Sequence, residues 1–339
     1  MSLQISGGPI LGSIRQYLIV SWVLLCLLAG PGLAVEPAAD EFQIEGGWLY
    51  YRPGFFPHGG ADRPLRPKPA EKEAAEWTKP IPFSFSIDYT LVSDYVYRGA
   101  NYSEYAAEGR EKLNHQLGVG LELDTSELGW NIGSFGFSLW GEWYAGQKAL
   151  DPASSSTFQE ADYIIYWRYE IPQTYMTLET GWVALTFPQL GTDFYYTNEW
   201  YISLRFDDSP LLGTEEPLLN PYIAYYLDTD DVDGSWIEWG ISHDFTLNSI
   251  GLASTPVLKD ITVTPCLVMG IDNGQYGPSM RVANLQYGLD VTYDLSGALN
   301  IPEQYGCISV TVFVYFSDAI FSEVLNDELW GGVTFAYAW

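Results

Sequence analysis

Basic side chains are scarce in this sequence of 339 residues, which has 15 Lys and Arg against 43 Asp and Glu and a formal net charge of −28. Nucleic-acid binding depends on clustered cations that contact phosphates, so this composition argues against it. Charged residues of both signs make up only 17% of the chain, too few for a disordered acidic protein. The acidic surplus is compatible with solvated loops, divalent cations or cationic solutes.

Histidine is rarer still, and the three histidines are His58, His115 and His243. A lipid hydrolase of the outer membrane needs a serine and a histidine side by side on its lipid-facing surface. Ser242 and Asp244 flank His243, but consecutive residues of a strand point to opposite faces and cannot form a triad with one another. We therefore expect that the protein is not an enzyme. A lipid hydrolase stays an alternative only if a residue on another strand pairs with a histidine.

Cofactor and metal motifs are missing. No phosphate loop, dinucleotide fingerprint or zinc-ligand spacing is present. Residues 228–234 are similar to a calcium loop, but Gly234 comes one residue late and Val232 stands where a third acid is needed. A hairpin loop rich in Asp and Gly explains the segment, with a weak surface calcium site as the alternative. Cys266 and Cys307 lie on next-but-one strands, too far apart for a disulfide, so we expect free thiols and no cofactor.

Long apolar runs are absent after the first residues. Residues 18–28 are apolar but too short to span a bilayer as a helix, and Arg15 precedes them as in a signal peptide. Gly32 and Ala34 are the small residues that a signal peptidase reads, so residues 1–34 are predicted to be a signal peptide. An exported chain without a spanning helix is periplasmic, secreted or an outer-membrane β-barrel.

Residues 35–80 show no strand-length alternation. They contain seven prolines, at positions 37, 53, 57, 64, 67, 69 and 80. This composition is typical of a flexible linker, and we predict a periplasmic arm. Residues 48–51 form a short apolar island, which favours a periplasmic plug or a partner-binding arm as the alternative.

From Phe83 onward, apolar side chains alternate with polar or small ones. Aromatic residues reach 16% of the chain, which is typical of the girdles of a membrane barrel. Twelve segments carry the alternation, each about ten residues long, as needed to cross a bilayer at a tilt. They are 83–91, 117–123, 135–140, 163–169, 176–184, 200–206, 222–227, 235–245, 261–269, 285–295, 308–316 and 329–339. Connections 207–219 and 246–259 are longer than periplasmic turns should be, so strand counts of ten and fourteen remain as alternatives.

The last segment decides the fold class. Its apolar side chains fall on one face, at Leu329, Val333, Phe335, Tyr337 and Trp339. An open apolar edge invites aggregation, whereas a closed barrel has no edge and places this face against lipid. We therefore predict an all-β fold, a transmembrane antiparallel up-and-down barrel of about twelve strands over residues 81–339, with a soluble β-sandwich as the alternative. Residues 329–339 should pair with residues 83–97, and we expect the barrel-assembly machinery to recognise this strand.

Residues 92–99, with the sequence VSDYVYRG, carry a more specific pattern. The run resembles the first-strand signature of the TorF-family porins, in which S-D-Y-x-[FY]-R-G follows the first strand. Residues 100–103 depart from the polar pair that often follows in that family. The resemblance implies an outer-membrane barrel of channel type.

The alternation of the first strand, extended through this run, orients its side chains. Tyr95 and Tyr97 should face outward as membrane-interface aromatics, and Asp94 and Arg98 should face the lumen. Asp94 and Arg98 are about 13 Å apart along a strand, so they cannot pair with each other. They form either a charged constriction near the outer mouth or ion contacts that hold the first strand in register. Tyr337 and Trp339 are the matching interface aromatics of the last strand.

The same parity predicts the other charged side chains of the lumen. Ten acids and three arginines result: Asp88, Asp94, Arg98, Glu122, Glu142, Asp162, Arg168, Glu170, Glu179, Arg205, Glu238, Asp290 and Asp294. A wet lumen with this balance favours cations, although some of these acids are expected to be solvated at strand ends. Twelve strands leave a narrow passage or a side-chain-filled interior.

These patterns predict a channel in the outer membrane of a Gram-negative-type envelope. Its role would be passive diffusion of small solutes, with a weak preference for cations. Its contacts would be outer-membrane lipid, small solutes and possible cations, and no nucleic acid. A barrel that anchors the envelope or a periplasmic partner through residues 35–80 is the second interpretation, and a lipid hydrolase is the third.

Overall fold

The computed structural model describes residues 82–103, 113–130, 132–144, 158–188, 196–214, 216–230, 232–247 and 258–339. The predicted signal peptide, residues 1–34, and the predicted arm, residues 35–80, lie outside these ranges. Their boundaries stay predictions.

Twelve long strands form one antiparallel sheet in which neighbours in sequence are neighbours in space. They are β1 (Phe83–Val92), β2 (Asn114–Asp124), β3 (Ser134–Tyr144), β4 (Phe158–Ile171), β5 (Met176–Thr186), β6 (Tyr196–Phe206), β7 (Tyr222–Asp228), β8 (Ser235–Ser242), β9 (Ile261–Asn273), β10 (Arg281–Asp294), β11 (Cys307–Ala319) and β12 (Glu328–Ala338). The last strand returns to the first, so the sheet closes. The predicted twelve-stranded up-and-down barrel is confirmed.

The closing pair runs from Ser86 opposite Ala338 to Val92 opposite Gly332. As the alternation predicts, Leu329 and Phe335 are exposed on the outside of β12, whereas Thr334 is buried inside. Closure satisfies the backbone groups of both strands and leaves no free edge. The apolar face of the last strand is therefore part of a continuous outer surface.

The two faces of the barrel have opposite character. Large apolar side chains are exposed on the outside, among them Ile165, Ile223 and Val312, and most of the buried side chains are polar or charged and point inward. This is the reverse of a soluble protein, and it places the outer surface in lipid. The β-sandwich alternative is excluded by closure, and the outer-membrane location follows from this architecture.

Val312, on the outer face near the middle of β11, is 54% exposed and tests that surface. We expect Val312→Arg to lower the free energy of unfolding by about 2–4 kcal/mol, the cost of a cation at the bilayer midplane on a barrel surface. Urea unfolding in lipid vesicles measures this, with Val312→Ala as the apolar control. Equal stability of the two variants would show that this face does not meet lipid.

The long connections that left the strand count open lie at the end of the barrel where β1 begins and β12 ends. The β6–β7 connection contains helix α1 (Ser209–Leu212), and the carboxylate of Asp208 accepts hydrogen bonds from the backbone amides of Leu218 and Leu219, both at 2.8 Å. The β8–β9 connection contains a short strand, Phe245–Thr246, paired with β9. Helix α2 (Leu295–Leu299) fills the β10–β11 connection. No strand is misplaced, so the count is twelve.

Two further findings concern the described residues. No helix among them is long and apolar enough to cross a membrane. Cys266 on β9 and Cys307 on β11 are both free thiols, in agreement with the spacing of their strands.

Candidate functional site

The chain turns into the barrel after β1. A short hairpin pairs Val96–Tyr97 with Ala100–Asn101, and its two-residue turn is Arg98-Gly99. Both turn residues have positive φ, 51° and 82°, as a type I′ turn requires. We call residues 95–103 the inner hairpin. Apart from the half-buried Tyr102, its residues are buried, although the segment connects two strands at the outer end of the barrel.

The inner hairpin crosses the interior from wall to wall. On one side, the ring of Tyr95 lies 5.5 Å from the ring of Trp140 on β3. On another, Asn101 donates a hydrogen bond of 3.0 Å to Glu328 on β12. Val96 packs in a buried cluster with aromatic side chains of β11 and β12. The hairpin therefore narrows the barrel at its own level.

Arg98 joins the hairpin tip to the opposite wall. Its guanidinium donates to both carboxylate oxygens of Glu199 on β6, at 2.6 and 2.9 Å, and to the side-chain oxygen of Gln275 at 2.7 Å. The guanidinium carbon lies 4.9 Å from the ring centroid of Tyr226 and 5.5 Å from that of Trp236. Burial disfavours the charged form, but Glu199 outweighs it and raises the pKa of Arg98 above its ordinary value. The cation is therefore permanent.

The predicted outward orientation of Tyr95 and Tyr97 is wrong. Both side chains lie inside the barrel, where Tyr95 is only 3% exposed and packs against Tyr102 as well as Trp140. The alternation of side chains holds only while the chain remains in the sheet. β1 ends at Val92, so the parity of residues 83–91 does not extend to the hairpin, and these two tyrosines are not membrane-interface aromatics.

If Asp94 and Arg98 continued β1 in the sheet, their partners would lie on the two neighbouring strands. The structure gives them other partners. Asp94 is half-buried and accepts a 3.5 Å hydrogen bond from Asn101 within the same segment. Arg98 pairs with Glu199, a residue absent from the predicted lumen set. Since Trp200 faces outward, the alternation of β6 already places Glu199 inward, and that signal was sufficient to find it. Both interpretations of Asp94 and Arg98, a constriction and ion contacts that hold the segment, stay predictions.

A second group of acids lies on the wall beside Tyr95. Glu142 on β3 and Glu160 on β4 are directly opposite each other in the sheet, and Asp162 is the next inward residue of β4. Gln116 on β2 donates a 3.3 Å hydrogen bond to Glu142. All four side chains are buried, and in the described ranges none of the three carboxylates has an ion-pair partner.

Glu160 lies next to a β-bulge. The register between β3 and β4 shifts after Glu142, so Gln159 is an extra residue with no opposite partner. Glu160 lies outside the predicted segment 163–169, because a bulge is not visible in an alternating pattern. Bulges often re-aim side chains near functional sites. We call Glu142, Glu160, Asp162, Glu199 and Glu238 the acidic band.

Glu238 on β8 completes the band on the side of Arg98. It accepts a hydrogen bond of 3.2 Å from the indole of Trp236, whose ring contacts the Arg98 guanidinium. Five buried carboxylates thus surround the hairpin, with Arg98 as their only cationic partner in the described part of the chain. Apart from Glu199, the carboxyl groups of the band have no cationic ion-pair partner among the described residues.

Arg168 centres a separate network nearer the end where β1 begins. Its guanidinium lies 3.0 Å from Glu122 and 2.8 Å from Glu179. Tyr166 donates to Glu122 at 2.7 Å, and Tyr201 donates to Glu179 at 2.8 Å. These contacts satisfy the buried charges locally, so this network braces the wall between β2, β4, β5 and β6.

The other predicted lumen residues are dispersed. The guanidinium carbon of Arg205 lies 5.2 Å from the ring centroid of Tyr222, and Asp290 accepts a 2.7 Å hydrogen bond from Tyr315. Asp294 caps α2 by accepting from the amide of Gly297 at 2.8 Å. Asp88 is buried, whereas Glu170 is exposed. None of these contacts involves the inner hairpin.

The two predicted interface aromatics of the last strand lie at the end of β12. Tyr337 donates to the carbonyl of Tyr305 at 3.1 Å, and Trp339 donates from its indole to the carbonyl of Gln304 at 3.0 Å. Both donors therefore anchor the β10–β11 connection at the barrel rim.

The histidines contact groups other than serine. His115 on β2 hydrogen-bonds to the hydroxyl of Tyr89, and Nδ1 of His243 lies 3.1 Å from the carbonyl oxygen of Pro217. Within the described ranges, neither histidine is hydrogen-bonded to a serine. His58 lies outside these ranges.

No family model matches the sequence, and no curated protein matches it. Solved structures are similar in fold. The KdgM porin is 13% identical, with 74% of this chain and 98% of that chain covered and a TM-score of 0.41. The NanC porin is 11% identical, with 75% and 98% covered and a TM-score of 0.41. An outer-membrane phospholipase A from Escherichia coli is 13% identical, with 75% and 92% covered and a TM-score of 0.34. The TorF resemblance therefore stays a prediction.

Proposed function

We propose that this barrel is an outer-membrane channel for the passive diffusion of small solutes, with a weak preference for cations, and that the inner hairpin is its constriction. The acidic band carries the proposal. It surrounds the hairpin with five buried carboxylates and one guanidinium. Rings of carboxylates at a constriction are a common basis of cation selectivity.

The sign of the preference follows from the uncompensated charges. The Glu199 charge is cancelled by Arg98, and Arg168 cancels one of its two glutamates. One charge of the Glu122–Arg168–Glu179 network is therefore uncompensated. In the acidic band, Glu142, Glu160, Asp162 and Glu238 have no cationic ion-pair partner among the described residues. At an effective dielectric constant of about 20, a unit charge at 6 Å contributes about 3 kcal/mol. A cation that enters the constriction is stabilised by this field, and an anion is opposed by it.

Planar bilayers test the proposal. The purified full-length protein, shown to be folded by a heat-modifiable gel shift, should give discrete conductance steps. In a KCl gradient, the reversal potential should have the sign of cation preference. The preference should weaken near 1 M salt, where the Debye length falls to about 3 Å. A folded preparation without conductance, or one that prefers anions, contradicts the proposal.

A barrel without an open passage is the second candidate, and the packing of side chains at the level of the hairpin favours it. Tyr201, Tyr226 and Trp236 of the wall are almost fully buried there together with Tyr95 and Tyr97. In this role the barrel would anchor the envelope or a periplasmic partner through residues 35–80. Conductance that arises only after the hairpin is removed supports this second role.

Lipid hydrolysis is not the proposed activity, because His115 contacts Tyr89 and His243 contacts a backbone carbonyl. If His115→Ala or His243→Ala abolished a lipase activity of the folded protein, this part of the proposal would be wrong.

A further inference from the structure

Arg98 occupies a pocket whose walls come from other parts of the barrel. Glu199 on β6 supplies two carboxylate oxygens, and Gln275 in the β9–β10 connection supplies an amide oxygen. The rings of Tyr226 on β7 and Trp236 on β8 flank the guanidinium. A planar fork of N–H donors against a bidentate carboxylate, with aromatic rings beside it, is the arrangement that recognises a guanidinium group. We call these four wall residues the guanidinium pocket.

Contacts that do not involve Arg98 hold the walls in place. Gln275 donates from its side chain to Glu199 at 3.0 Å. The backbone amide of Gln275 donates to Asp272 at 2.8 Å, which positions the residue. The indole of Trp236 donates to Glu238 at 3.2 Å. The pocket is therefore preorganised by the barrel wall, and a vacated pocket would keep its shape and charge.

Arg98, the residue in the pocket, lies at the tip of the inner hairpin in a strained backbone conformation. Arg98 has a φ of 51°, a conformation that glycine, asparagine and aspartate adopt more readily than arginine. The turn has only two residues, Arg98 and Gly99. The contacts in the pocket offset this strain, so release of the side chain also relaxes the backbone. Glu238 adds a second carboxyl group beside the pocket, where it accepts the hydrogen bond from the indole of Trp236.

We propose that the guanidinium pocket is a recognition site for guanidinium-bearing solutes, and that Arg98 is its intramolecular occupant. The inference deepens the proposed channel function and rests on it. A guanidinium-bearing solute competes with Arg98 for Glu199, Gln275 and the two rings. Its binding releases the hairpin tip, so the same group that the site recognises also opens the constriction.

The test vacates the pocket without weakening the turn. Arg98→Asn creates an Asn-Gly turn, the strongest two-residue hairpin signal, and removes the guanidinium. The probe is methylguanidinium chloride, and the neutral control of the same shape is methylurea. The thermal unfolding midpoint of the full-length protein in detergent is measured at increasing probe concentration, because a ligand that binds only the folded state raises it.

We expect a saturable rise in the midpoint of Arg98→Asn with methylguanidinium and no rise with methylurea. The wild type should respond at least several times less, since Arg98 fills the pocket. The double variant Arg98→Asn/Glu199→Gln should lose the response. If Arg98→Asn fails to fold, Arg98→Gly serves the same purpose. An equal response to methylurea, or a response that survives the loss of the Glu199 charge, overturns the proposal.

Conductance separates this inference from the channel function. Methylguanidinium should lower the conductance of Arg98→Asn, because it refills the pocket. A midpoint shift in a barrel that never conducts would leave the site standing and contradict the channel. Conductance without any midpoint shift would leave the channel standing and contradict the site.

Discussion

Removal of the inner hairpin will raise the single-channel conductance severalfold. The change is deletion of residues 95–103, bridged by a short Gly-Ser linker. The hairpin spans the interior from Glu328 on β12 to Glu199 on β6, so its loss widens the passage at that level. The strands on either side pair with their other neighbours independently of the hairpin. The closed sheet should therefore persist, and planar-bilayer recordings measure the result.

A milder version of this experiment has a matched control. Tyr95→Ser/Tyr97→Ser removes two buried rings of the hairpin, and Tyr175→Ser/Tyr305→Ser removes two exposed rings from connections outside the barrel interior. The first pair should raise conductance and lower the free energy of unfolding by about 3–5 kcal/mol per ring, as for other buried aromatics. The second pair should change neither. Unchanged conductance in a folded deletion variant would show that the hairpin is not the constriction.

Neutralising the acidic wall should remove most of the cation preference. The change is Glu142→Gln/Glu160→Gln/Asp162→Asn, which preserves shape and removes three buried carboxyl groups that have no ion-pair partner among the described residues. A cation that enters the constriction favours the ionised form of these groups, and each ionised carboxylate contributes about 3 kcal/mol at 6 Å and an effective dielectric constant of about 20. The reversal potential in a KCl gradient should move towards zero.

A stability measurement and a surface control variant accompany the neutralisation of the acidic wall. Since the three carboxylates lack cationic partners in the described ranges, their amide replacements should unfold at the same or a higher urea concentration. Glu170→Gln neutralises an exposed carboxylate at the end of β4 and should leave the reversal potential unchanged. A triple variant with the wild-type reversal potential would show that selectivity arises elsewhere in the barrel.

The sheet could be predicted from the sequence alone. Alternation of apolar and polar side chains predicted all twelve strands, and the pairing of residues 329–339 with the first strand followed from their apolar face. This succeeded because side-chain alternation is a local property, set by neighbours two residues apart in an extended chain. The same rule placed Glu122, Glu142, Arg168 and Glu238 on the inside, where the structure has them.

The side chains that fill the barrel could not be predicted from the sequence. Tyr95 and Tyr97 follow a strand whose parity points them at lipid, yet the chain leaves the sheet after Val92 and carries them inward. Arg98 meets Glu199, about a hundred residues away in sequence. Whether a connection folds into the barrel depends on the aromatic and acidic side chains that distant strands place in the interior. The residue pattern within the connection itself does not indicate those side chains. A buried cation needs a buried partner, and the closed wall brings that partner across the lumen.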